Sequence, residues 1–140
     1  MKHFVFISLF FFFIACSNSP KTVVGKWKLE SIDYSPYFLE VSDEVKTMFQ
    51  EKMEDQTKRM IGKTFFEFKI DNSLRLESPN FENEIVPFEG KWKFNQTEDS
   101  ITFDLDGEEH YKINTLTENK LILSTDESPK RILSFSKVDL

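Results

Sequence analysis

Residues 101–113 read Ile101-Thr102-Phe103-Asp104-Leu105-Asp106-Gly107-Glu108-Glu109-His110-Tyr111-Lys112-Ile113, and their reading decides the fold. Ile101, Phe103 and Leu105 share one face of an extended chain, as do Tyr111 and Ile113, with polar residues between them. That period of two is the pattern of a half-buried strand. Asp106-Gly107 supplies a two-residue hairpin signal, because both residues tolerate the positive φ such turns need.

The alternation extends in both directions. Upstream, Thr64, Phe66, Phe68 and Ile70 share a face, Asp71-Asn72-Ser73 turns the chain, and Leu74 and Leu76 mark a short strand. From about Glu84 to Phe94, Val86, Phe88, Trp92 and Phe94 align, and Pro87 in that run predicts an edge or a bulge. Downstream, Leu121 and Leu123 mark one more strand, and Lys130 to Val138 form the last. Val23 to Ile32 is the first, with Val23, Trp27 and Leu29 opposite Lys26, Lys28 and Glu30. One helix interrupts the series. Ser42 is its N-cap, Asp43 and Glu44 suit its dipole, Val45, Met48, Phe49, Met53 and Met60 form a stripe, and Gly62 stops it. The aromatic segment before it, Asp33 to Val41 with Pro36, reads as a loop.

Eight short strands linked by tight turns, with one helix after the first, predict a mainly β fold: an eight-stranded antiparallel up-and-down barrel, round or flattened. Closure removes the sheet edges that promote aggregation. The competing two-sheet sandwich needs long crossovers, and every link after the helix is short.

The N-terminus carries Lys2, then an apolar run from Phe4 to Ile14 broken only by Ser8, the layout of a signal peptide. Eleven residues fall well short of the roughly 20 that span a bilayer as a helix. Phe13-Ile14-Ala15-Cys16 follows, and this resembles the lipobox of bacterial lipoproteins. The predicted organisation is therefore a signal peptide over 1–15, a lipidated Cys16 and tether over 16–22, and one barrel domain over 23–140. Cys16 is the only cysteine, so no internal disulfide forms, and acylation accounts for the lone thiol. Two or more acyl chains hold a protein stably on a membrane. No acidic residue follows Cys16 directly, which leans toward the periplasmic face of an outer membrane.

Cleavage removes Lys2 and no acid, taking the net charge from −6 to −7. With three arginines in all (Arg59, Arg75 and Arg131), the chain lacks the basic patch of a nucleic-acid binder. His110 is the one histidine left after cleavage, on the solvent face of its strand, so zinc sites and Cys-His catalysis find no residues. Asp104, Asp106, Glu108 and Glu109 gather at one hairpin but match no complete calcium loop and read as a solvated turn. No nucleophile, base and orienter can be assembled, no cofactor motif is present, and the prediction is a non-enzyme.

Gly25-Lys26-Trp27-Lys28-Leu29 on the first strand resembles the Gly-x-Trp signature of lipocalins, most closely lipocalin-like lipoproteins of Bacteroidetes-type bacteria. A second Gly90-Lys91-Trp92-Lys93-Phe94 and the stretch Tyr111 to Leu123 extend the resemblance across the mature chain. The two Gly-Lys-Trp segments have unlike neighbours and are two similar strands, not a repeat. The resemblance implies a barrel that binds a small ligand, and a late arginine packed on the first-strand Trp, for which Arg131 is the candidate. Asp99-Ser100-Ile101 fits a short O-glycosylation pattern of such bacteria, and a turn explains it equally well.

Bulky inward residues favour a filled interior over a pocket. Against that, a lid of Tyr37, Phe38 and Leu39 with the Met-rich helix is placed to cover a barrel mouth. The leading functional reading is an envelope-anchored binder of a small apolar ligand, with Trp27, Phe38, Met48, Phe49, Phe66, Phe68, Phe88, Trp92, Phe103 and Tyr111 as candidate contacts. The alternative is a protein-binding lipoprotein, an inhibitor or assembly factor with a solid core; its partner is unspecified. Interior volume separates the two.

Overall fold

The computed structural model describes residues 22–139. Cys16, the signal segment and most of the tether lie outside them. Eight strands form one closed antiparallel barrel in sequence order: β1 (Gly25–Asp33), β2 (Phe65–Phe68), β3 (Ser73–Pro79), β4 (Ile85–Asn95), β5 (Ser100–Asp104), β6 (Glu108–Leu116), β7 (Lys120–Thr125) and β8 (Arg131–Lys137). β8 pairs with β1 through Lys28↔Ser136 and Leu29↔Phe135, which closes the ring. The expected barrel is the observed one.

Two helices sit between β1 and β2: a single turn α1 (Ser35–Phe38), where the sequence predicts a loop, and α2 (Asp43–Met60). Ser42 Oγ accepts from the Val45 N–H at 3.4 Å, as its N-cap position requires. Because β1 ends and β2 begins at the same end of the barrel, α2 is confined to that end. Three bonds fix its exit: the Gly62 N–H to the Leu29 carbonyl at 2.9 Å, the Leu29 N–H to the Thr64 carbonyl at 2.9 Å, and buried Thr64 Oγ1 against Ser78 Oγ at 3.0 Å.

The opposite end is filled. Trp27, Phe68, Leu74, Ile101, Leu121 and Phe135 are all essentially inaccessible. Phe68 meets Trp92 edge-on with ring centroids 5.6 Å apart. At about 25 cal/mol per Å² of apolar area, such residues contribute the bulk of the folding drive. The Trp27 indole N–H donates to the Val23 carbonyl at 2.8 Å, and Lys137 Nζ stands 5.0 Å over its ring. Lys137, not Arg131, therefore covers the first-strand Trp; β8 starts at Arg131, at the far end from Trp27. Gly25 has φ 137, a conformation that side-chain-bearing residues rarely adopt, which is why this motif begins with glycine. In the second motif Trp92 donates instead to the Lys69 carbonyl at 2.9 Å, and Gly90 faces the Asp104 backbone. The partners differ, as two unrelated strands would have them.

Four local expectations are corrected. Ile70 leaves the strand for the β2–β3 turn, with Asn72 at φ 66, and is 88% exposed. The Asp106-Gly107 hairpin has a three-residue loop, 105–107, since Asp104 pairs with Glu108. Phe88 is 50% exposed, because β5 reaches back only to Lys91 and leaves residues 85–90 of β4 paired with β3 alone. Phe94, at the other end of β4, is 41% exposed. Pro87 falls in the one-sided stretch, as the edge reading requires. The Trp92 N–H bonds toward β3, so alternation turns the Pro87 nitrogen to the unpaired side, where the missing N–H costs no ladder bond.

Candidate functional site

The barrel's two ends differ because side-chain bulk does. The rings of Phe66, Phe68, Phe103 and Phe135 pack on one another in the interior, with Phe66–Phe135 at 5.1 Å and Phe68–Phe103 at 5.5 Å; above Phe66 and Phe103, toward α2, the residues no longer meet. There a cavity of about 630 Å³ lies between the barrel mouth and the helix. Leu29, Phe66, Leu76, Phe103 and Leu133 form its floor and walls, Met53, Gln56 and Met60 of α2 its roof, and Ile32, Tyr34 and Tyr111 its sides. Ile32 reaches the interior through a bulge between Leu29 and Ser31, which offsets the alternation by one residue.

Of the predicted contacts, Phe66, Phe103 and Tyr111 line this cavity. Trp27, Phe68 and Trp92 are buried in the filled end below it. Phe38 lines a neighbouring groove with Tyr34, Gln50 and Met53. Met48, at 71% exposed, and Phe49 point away from the barrel, and Phe88 is outside for the reason given above. The helix therefore covers the mouth with its C-terminal half, and no residue of α2 is fully buried. Leu29, Ile32, Met53, Met60, Leu76 and Leu133 are among the contacts the sequence reading missed.

One polar cluster interrupts the apolar wall. Arg131, its side chain 17% exposed, donates from Nη2 to Tyr111 Oη at 2.6 Å and from Nη1 to the Pro129 carbonyl at 2.9 Å. Glu109 stands 3.3 Å from Nη2, and the Tyr111 hydroxyl donates to its other oxygen at 3.0 Å. The guanidinium also packs over the Tyr111 ring, Cζ to centroid 5.5 Å. No protein acceptor among the described residues is bonded to Arg131 Nε, so the cluster keeps donor capacity at the cavity wall. Asp106, Glu108 and Glu109 make the rim acidic. His110 lies on the outer face, bonded to Thr102 at 2.9 Å. Among the described residues no three His, Cys, Asp or Glu side chains converge as a metal site.

Burial raises the Tyr111 phenol far above the ordinary tyrosine range, with the Arg131 charge opposing and Glu109 adding to the rise. Tyr34 is raised by burial in the same field. The folded-state value lies above the unfolded one, so stability is undiminished below about pH 10 and falls above it, as the unfolded chain releases a proton the folded protein retains. Urea midpoints measured from pH 9 to 11.5 are expected to show this decline, and Tyr111→Phe to flatten it. An unchanged slope in that variant would place the titrating group elsewhere.

A closed eight-stranded antiparallel barrel with one filled end has room at the other for one small molecule. The chain belongs to the lipocalin-like domain family, whose pattern it matches over residues 23–123. It is similar in fold to a lipocalin-like protein from Bacteroides uniformis, at a TM-score of 0.57 and 15% identity over 82% of this chain and 97% of that one. A structure of an uncharacterized protein from Bacteroides eggerthii gives a TM-score of 0.56 and 18% identity over 82% and 98% of the two chains. No curated protein matches it in sequence.

Proposed function

We propose that this protein is a lipid-anchored, non-enzymatic binder of a small apolar ligand in the bacterial envelope, on the periplasmic face of the outer membrane. The observation that carries the reading is the cavity of about 630 Å³ under α2, within the usual 300–1,000 Å³ of small-molecule sites. Its inner walls are apolar and, below an acidic rim of Asp106, Glu108 and Glu109, Arg131 and Tyr111 place donors on the wall, which suits a hydrocarbon body ending in a hydrogen-bond acceptor. Anchoring rests on the lipobox-like Phe13-Ile14-Ala15-Cys16.

Titration with an apolar fluorophore tests the binding. Leu76→Trp narrows the mouth and is expected to weaken saturable binding by about tenfold or more, equivalent to at least 1.4 kcal/mol. Phe49→Ala, outside the cavity, is expected to leave it unchanged. Equal affinities in all three proteins would move binding off the barrel interior. The rival reading, a protein-binding lipoprotein, draws on the exposed Phe81, Ile85 and Phe88 of the β3–β4 hairpin. The open mouth favours the first.

A further inference from the structure

We propose that the filled end of the barrel docks on an anionic lipid bilayer, through the corner made by the β2–β3 turn and the adjoining end of β4. This rests on the acylation of Cys16 proposed above.

The chain enters the barrel at that corner. Gly25 pairs with Phe68, the residue just before the β2–β3 turn, and Val23 folds back under Trp27, whose indole N–H donates to its carbonyl at 2.8 Å, so the tether leaves from this end of the barrel. Residues 17–22 are all that separate Cys16 from Val23, and at about 3.5 Å per extended residue the acyl anchor lies within about 25 Å of it. The corner that the tether holds nearest the membrane is the one suited to it. Ile70 and Phe94 are exposed there. The turn cannot simply fold Ile70 inward, because the Trp92 indole N–H grips the Lys69 carbonyl at 2.9 Å and the Trp92 backbone N–H the Asn72 carbonyl at 3.0 Å.

Lys69, Lys91 and Lys93 flank these two residues, all exposed and none within ion-pair distance of a carboxylate among the described residues. Asp71 is the one carboxylate in the β2–β3 turn, and its Oδ1 accepts from the Ser73 N–H at 2.9 Å and the Ser73 hydroxyl at 2.6 Å. Glu98 and Asp99 follow only in the next turn. The opposite end is acidic, with Asp106, Glu108 and Glu109 on the cavity rim. The other turns of the filled end carry Glu98, Asp99, Glu118 and Asp139, so an anionic surface attracts the Lys69, Lys91 and Lys93 corner in particular and repels the cavity rim, within a Debye length. The cavity mouth then opens away from the bilayer, and ligand is exchanged with the aqueous side rather than drawn laterally from the lipid.

Acylation consumes the only cysteine, so a single introduced cysteine can carry a fluorophore on the full, acylated chain. The chain is reconstituted on phosphatidylglycerol-containing vesicles that include a lipid-borne quencher, and its intact mass is measured first. A label at Ile70→Cys is expected to be quenched several-fold more than one at Gln50→Cys on α2. Adding K69E, K91E and K93E together is expected to bring the two labels to equal quenching. Equal quenching in the unreversed protein, with the acyl mass present, would overturn the docking while leaving the anchor intact. An unacylated mass would overturn the anchor and the proposal together.

Discussion

Trp27→Ala is expected to lower folding free energy by about 3–5 kcal/mol, the range for removing a large buried aromatic. Small domains have about 5–15 kcal/mol in total, so this one change removes a fifth of it at the least. The size of the effect follows from the residue's position. Trp27 has no exposed surface, its ring lies under Lys137 Nζ, and its indole N–H satisfies the Val23 carbonyl. It also pairs with Phe66 on one side and Lys137 on the other, at the strand where the barrel closes. Truncation leaves a cavity, an unpaired carbonyl and a lysine stem with nothing beneath it. Urea unfolding followed by circular dichroism measures the loss. A change under about 1 kcal/mol, the size of an ordinary surface substitution, would mean that Trp27 is not central to the core.

Gly90→Ala is the second large effect, and nothing about the residue's size suggests it. A Cβ there would lie 2.2 Å from the Asp104 carbonyl oxygen and 3.0 Å from Leu105 Cα, both backbone atoms. No rotamer change relieves such a contact; β4 and β5 must separate. Overpacking in a tight site costs about 1–3 kcal/mol, and a clash with backbone belongs at the upper end. Because Leu105 lines the cavity, the same shift alters the mouth, so the variant is expected to lose ligand affinity together with stability. Unfolding and fluorophore titration on one preparation check both. A variant as stable as the parent would contradict the close approach of the two strands.

Alternation was enough to reveal eight strands, their order and most of the core, because the period is imposed by the backbone and each strand has one wet face. What alternation does not carry is how far a neighbouring strand extends. Phe88 has the parity of Trp92, yet it is half exposed because β5 stops before reaching it. Bulges are equally silent. Ile32 and Leu116 turn inward only because β1 and β6 each shift register by one residue. On α2 the stripe from Val45 to Met60 is real, but only its C-terminal part lies over the barrel, since the link through Gly62 and Thr64 anchors that end alone. Arg131 packs on Tyr111 rather than on the first-strand Trp that the resemblance implies. Its proximity to Tyr111 and Glu109 arises from strands 20 residues apart in sequence, a relation that no local pattern encodes.

The uneven interior reconciles two opposed expectations from composition. Aromatic bulk does fill the barrel, but only as far as Phe66 and Phe103, whose rings pack on Phe68 and Phe135 and floor the cavity. The residues nearest the helix, Leu29, Leu76 and Leu133, are smaller, and the helix itself contributes Met53 and Met60 across the gap. Methionine's flexible thioether suits a roof that adapts to ligands of differing shape.

The central claim, that this cavity carries a small apolar molecule, is tested most directly by native mass spectrometry of the protein purified gently from its own host, before and after organic extraction. The account predicts a discrete additional mass that extraction removes and that the Leu76→Trp variant fails to retain. A bare protein mass in both preparations, with the fold intact, would contradict it.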